Sequence, residues 1–320
     1  MNTPIRNRRG FLLRLATVSA SLSVKPRLAL AEATEPDLNE RYQEMLRLNE
    51  GGNIYALEDA YKGTAICGYS FGRKQIDLLR YEGKLSGVEI LQAIEIEIRN
   101  VRNAGPVLTE KEIQDIHGLQ IATMKATREQ RDLVDKINTT LERPDAQKVI
   151  DDWDSRLTAA DVAQAKVFFN NHFSGANSGF DTLVCKLFYL DYLNLFGSAD
   201  TCLNPFIDGK DVHFPVSGRR AKIVGAPSFS NLTRFLFATL QGYDTSMPNH
   251  RPDALRRLNN TMNVASQSCS GTAAEKLKLT PEDVSYFRNE FAAAIYTPDM
   301  RKAAATANGA PCEMLDSLTA

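Results

Sequence analysis

Apolar positions recur at helical spacing along most of this chain. In "DLNERYQEMLRL" (37–48) Leu38, Tyr42, Met45, Leu46 and Leu48 fall near one stripe, which predicts an amphipathic helix that "GGN" at 51–53 breaks. A second short helix is expected over 53–62, with Ile54, Ala56, Leu57 and Ala60 inward and Gly63 as its stop. The next stretch, "TAICGYSFG", is too short and glycine-punctuated for another helix and suits a small β-hairpin, with helix resuming near Lys74. Further helices are predicted over 86–102, 110–140, 144–153, 159–173, 178–196, 230–242, 252–265 and 281–295. The run "FDTLVCKLFYLDYLNLF" is the most apolar of them and is expected to be the core helix.

Several helix starts carry a chemical mark. Thr109 with Glu112, Thr158 with Asp161 and Thr280 with Asp283 each offer a hydroxyl cap and a carboxylate three residues on, so helices should begin near 110, 159 and 281. Their unequal spacing excludes a solenoid. Between about 198 and 230 the chain turns dense in Gly, Pro, Asp and Ser with short β-prone runs, an excursion of loop and two short strands. After about 303 it is Ala-rich and expected to be loose. The whole predicts a mainly α fold with a small β-hairpin, in a single domain over 32–320.

Residues 1–31 are set apart from that domain. Arg8-Arg9, a moderately apolar Gly10–Leu13 and Ala29-Leu30-Ala31 as a cleavage site read as an export signal peptide, and the paired arginines resemble a twin-arginine signal. The apolar stretch falls well short of the roughly 20 residues of a spanning helix, so no membrane anchor is expected after cleavage. The expected location is a bacterial periplasm or the cell exterior.

Charge narrows the function classes. The signal holds six Lys or Arg and no acid, so the formal net charge of −1 becomes −1 − 6 = −7 for the mature chain. That disfavours a nucleic-acid partner, which would require a basic face. The five cysteines show neither C-x-x-C pairs nor zinc spacing, and their disulfide pairing is not legible. The four histidines are scattered; Asp208, Asp211 and His213 would need a third region to hold a metal, so no metal or cofactor is expected. Arg251, Arg256 and Arg257 could cradle an acidic peptide stem, with surface salt bridging as the alternative.

The richest chemistry lies in "ALEDAYKGTAICGYSFGRKQIDLL" (56–79). A carboxylic acid that protonates a glycosidic oxygen must stay neutral near neutral pH, and the C-terminal end of a helix with apolar surroundings favours the neutral form. Glu58 is expected at such a position, with Tyr55 and Tyr61 at helical spacing and a β segment following. A Glu ending a helix, a glycine-rich β segment and then Gly72-Arg73-Lys74-Gln75-Ile76 resembles the active-site segment of the lysozyme superfamily, the lytic transglycosylases in particular, over about 25 residues. Asp59 stands where that family usually has Ser, and Arg73-Lys74 replace two apolar residues.

The resemblance implies a lysozyme-like helical fold and an enzyme that cleaves the glycan strand of peptidoglycan. Glu58 would be general acid and base, Gln75 a substrate-contacting amide, and Ser70, Tyr55, Tyr61 and Tyr69 would position sugar. Asp77 is the second carboxylate: facing the groove it would activate water, as in chitosanases and inverting lysozyme relatives, whereas facing solvent it would leave a single-Glu transglycosylase. Two other classes stay open: a non-catalytic cell-wall or partner-binding protein, and an exported metal or cofactor protein. Oligomeric state is not legible.

Overall fold

The computed structural model describes residues 38–50, 53–59, 69–74, 76–77, 90–96, 108–109, 111–112, 128–196, 199–214, 218–240 and 250–320. Residues 1–37, Tyr61, Gly63, Cys67 and Gln75 lie outside them. The fold is mainly α, with small antiparallel sheets. Contacts divide the chain into two units, one containing residues 50–160 and the other residues 36–49 with 161–320.

The first unit holds a three-stranded antiparallel sheet of β1 (Glu58–Asp59), β2 (Tyr69–Phe71) and β3 (Ile76–Asp77), with β2 central. Residues 90–96 are helical, and α2 (Arg128–Leu141) precedes α3 (Pro144–His172), whose first half belongs to this unit. Leu57, Phe71, Ile94, Ile137, Leu141 and Ile150 lie in one buried cluster that joins sheet and helices. Thr109 and Glu112 form the expected reciprocal cap, Thr109 N donating to Glu112 Oε2 at 2.7 Å and Glu112 N to Thr109 Oγ1 at 3.2 Å. Three expectations fail here. Residues 53–57 form turns leading into β1, so the described part of the expected 53–62 helix, residues 53–59, is turn and strand; residues 60–62 lie outside the described residues. Lys74 sits in the β2–β3 turn and the chain continues as strand, not helix. Thr158 lies inside the continuous α3, where its hydroxyl donates back to Asp154 O at 2.8 Å instead of starting a new helix.

The second unit contains α1 (Leu38–Glu50), the end of α3, α4 (Leu183–Phe196), α5 (Leu203–Ile207), α6 (Phe229–Leu240) and α7 (His250–Ser266). A β4–β5 hairpin (Val212–Phe214, Arg219–Ala221) interrupts the helices, as the composition shift predicts. Beyond α7 come α8 (Ala273–Lys276), α9 (Pro281–Ser285), a π-helical turn (Tyr286–Phe291), α10 (Ala292–Ala294), α11 (Pro298–Asn308) and α12 (Glu313–Thr319). The last two correct the expectation of a loose tail: Met314, Leu315 and Leu318 are buried.

α4 is indeed a core helix, burying Val184, Leu187, Phe188 and Leu190. α7 packs against α4, α6, α11 and α12. Polar side chains seal the helix ends. Asp283 accepts Thr280 N (3.1 Å) to cap its own helix and Ser230 N (2.8 Å) in the first turn of α6. Asn259, fully buried on α7, accepts Met314 N (3.1 Å) and so caps α12. Leu48 O and Asn49 O, orphaned at the C-terminal end of α1, accept from Arg256 at 2.8 and 2.6 Å. Arg257 and Asn260 add 3.2 and 3.3 Å bonds to the same carbonyls. Arg256 and Arg257 are thus internal clamps and do not form a cradle for an acidic peptide.

Candidate active site

Glu58 opens β1, directly opposite Ser70 in β2, and Ser70 is in turn opposite Asp77 in β3. The three residues therefore occupy one row of the register across the sheet. Two cross-strand steps of roughly 5 Å set the Cα atoms of Glu58 and Asp77 about 10 Å apart. Between them Ser70 is 1% exposed, and its Oγ is buried with no hydrogen-bond partner among the described residues. Tyr69 is the register partner of Asp59. Glu58 stands in β1, which overturns the expectation that it ends a helix and with it the helix-dipole argument for a neutral acid at that position.

The sheet is held from two helices by side-chain acceptors. Asn138 Oδ1 on α2 accepts Leu57 N, the residue before Glu58, at 2.7 Å. On α3, Asp154 accepts Arg73 N at 2.7 Å through Oδ2 and Lys74 N at 3.2 Å through Oδ1. Gly72 N donates to Ile54 O at 2.8 Å, tying the β2–β3 turn to the segment ahead of β1. Gly72 adopts φ +77°, and a Cβ there would lie 3.1 Å from Asp154 Oδ1. The positive φ favours glycine, and a Cβ would press on the Asp154 carboxylate. The glycine of the Gly-x-x-Gln run is accounted for by this close approach.

Asp154 is fully buried, and burial pushes its carboxyl above the usual aspartate range; the Arg73 and Lys74 amides and the Arg73 charge pull the other way, and Asp151 adds to the rise. One helical turn earlier, Asp151 takes Arg73 Nη2 at 3.2 Å and the Tyr55 hydroxyl at 3.1 Å to both oxygens. Burial, then the Asp151 charge, raises the Tyr55 phenol. The Tyr55 hydroxyl is thus committed to Asp151. Sequence reasoning missed Asp154 and Asp151 altogether, since "DDWDSRL" looks like helix surface and their partners lie some 80 residues away.

A small cleft, little more than water-sized, opens in the second unit between α4, α6 and α7, lined by Phe188, Tyr192, Leu236, Leu258, Asp191 and Arg257 among others. Its charged groups already hold each other, Arg257 Nε donating to Asp191 Oδ2 at 3.2 Å. Among the described residues no group of three or more His, Cys, Asp or Glu could hold a metal ion, and no helix is long and apolar enough to cross a membrane. Asp208 pairs with His172 (2.7 Å) and Asp211 with Arg220 (3.2 Å). Cys185, Cys202, Cys269 and Cys312 are free thiols.

No protein-family model, curated protein or solved structure matches this chain.

Proposed function

We propose that this chain is an exported hydrolase of a β-1,4-linked glycan, peptidoglycan by preference, in which Glu58 protonates the leaving oxygen and Asp77 activates water. The observation that carries this is the Glu58–Ser70–Asp77 row. Carboxyl groups of inverting glycosidases stand about 6.5–9.5 Å apart, and Cα atoms about 10 Å apart across two strands are compatible with that separation. Removal of Glu58 from a helix end weakens the single-Glu transglycosylase alternative, which relied on the dipole to keep the acid neutral. Ser70 supports the row as a polar site, since a buried hydroxyl with no partner among the described residues is costly unless something polar meets it.

One observation favours a non-catalytic cell-wall-binding protein instead. Gly72 is explained by its own conformation and by Asp154, so the run that carries the family resemblance is also a folding device. The deciding experiment incubates mature protein, Glu58→Gln and Asp77→Asn with purified sacculi and identifies soluble products by mass spectrometry. Reducing-end muropeptides from wild type, lost in both variants, are expected. Anhydro products lost only in Glu58→Gln would move the assignment to a transglycosylase, and no release by wild type would leave the binding protein.

A further inference from the structure

We infer that Asp154 is the positioning residue of the carboxylate row, an anionic lock by which α3 fixes the β2–β3 turn and so the register of Asp77 against Ser70. What the row does rests on the glycan-hydrolase proposal; the lock itself does not. The turn Gly72-Arg73-Lys74 is one residue from β3, and its Arg73 and Lys74 amides both end on this one carboxylate. A strand of two residues, Ile76–Asp77, supplies few ladder bonds of its own, so its placement depends on what holds the turn. The other end of the row has a parallel device in Asn138, which fixes the residue before Glu58. Two acceptors on two helices thus set the two ends of a three-stranded row.

The lock is a charged one. A carboxylate accepts from both amides, whereas a protonated acid gives up acceptor capacity on one oxygen. The groups facing it are Arg73 and Lys74 on the turn, Asp151 one helical turn back on α3, and Tyr55 through Asp151. Burial and Asp151 place its protonation above the range of an ordinary aspartate. The two amide bonds favour the charged form against that burial, so a turn opened while Asp154 stays buried would leave a carboxyl that protonates more readily, and acid should loosen the turn through loss of those two bonds.

The test compares wild type, Asp154→Asn, Gly72→Ala, the double variant and Glu58→Gln. Asparagine keeps the shape and replaces one acceptor by a donor; alanine leaves the carboxylate but drives its Cβ against it. Exchange of the Arg73 and Lys74 amides, corrected for intrinsic rate, is read by NMR as pH falls, with α4 and α7 amides as the fold control. In wild type, protection of both amides should fall on acidification. In Asp154→Asn it should be lower by about ten- to hundredfold and independent of pH, the cost of a stranded buried amide. Gly72→Ala should lower it too, with the double variant no worse than either single one. Glu58→Gln should leave it unchanged.

Cross-strand β2–β3 NOEs should weaken in Asp154→Asn, and with an active glycan substrate kcat should fall with KM nearly held. Full protection or intact β2–β3 NOEs in Asp154→Asn would overturn the lock whether or not wild type cuts glycan. Lost protection with unchanged kcat would overturn the positioning role. An inactive wild type with lost NOEs would sink the hydrolase proposal and keep the lock.

Discussion

Arg257 meets Asp191 inside the helical unit through a fork, Nη2 to Oδ1 at 2.5 Å and Nε to Oδ2 at 3.2 Å, with both side chains buried. Asn49 Nδ2 donates to the same Oδ1 at 3.0 Å, so the pair also reaches α1. Removing one partner strands a buried charge. Asp191→Ala is expected to cost about 3–5 kcal/mol, whereas Asp191→Leu combined with Arg257→Met should recover much of that loss. Urea unfolding followed by circular dichroism checks both; a double variant no better than the single one would contradict the assignment of the cost to an unpaired charge.

Two glycines in the 3₁₀ turn Gly175–Phe180, between α3 and α4, should behave differently. A Cβ on Gly179 would lie 1.8 Å from Pro227 O, so backbone must part, and Gly179→Ala should cost about 3 kcal/mol or more. Gly175, at φ +57° with open space around it, should cost only about 1 kcal/mol as alanine, from conformation alone. Thermal melts of the two variants rank them, and equal shifts would remove the steric explanation.

Thiol reactivity should follow burial. Cys185 is buried and its pKa is pushed up to about 12 by loss of solvation, while Cys269 is exposed. Burial also raises Cys202 and Cys312. Iodoacetamide labelling read by peptide mass mapping should therefore modify Cys269 first among these four and Cys185 only in denaturant.

Acid should weaken the first unit through Glu112. Its bond to Lys136, then the Thr109 amide, hold its carboxyl below the usual glutamate range. The native state thus binds that proton less tightly than the unfolded chain. The stabilisation is present above the ordinary glutamate value and is lost as pH falls through the depressed native one. Because Glu112 remains partly solvated, the effect is about 0.5 kcal/mol. Glu112→Gln should flatten this limb in urea titrations followed by Trp153, the chain's single tryptophan.

Elements whose partners are local were legible in the sequence. The Thr280–Asp283 box forms as its spacing predicts, and the apolar run from Leu183 to Phe196 is a core helix because no face of it suits water. The misses share a cause in distant partners. Ile54, Ala56 and Leu57 keep a helical spacing, yet Leu57 N goes to Asn138 and Ile54 O to Gly72, contacts that a local pattern does not contain. α12 forms in a stretch that reads as loose because Asn259, some 55 residues earlier, caps it. For the site, the acidic residues Glu58 and Asp77 were visible, but their common row follows from strand pairing that the sequence, read as helix on both sides, had assigned elsewhere. Asp154 left no trace, since its role exists only across the turn it grips.

The clamp on α1 also sets a clock. Leu48 O waits for Arg256, 208 residues later in the chain. At synthesis rates of about 5–20 residues per second the helix leaves the ribosome roughly 10–40 s before its own end can be capped. During that interval residues 50–160 emerge whole, so α1, the first of the described helices to be made, is among the last to be finished, and a chain stopped short of Arg256 would carry α1 without the bonds that close it.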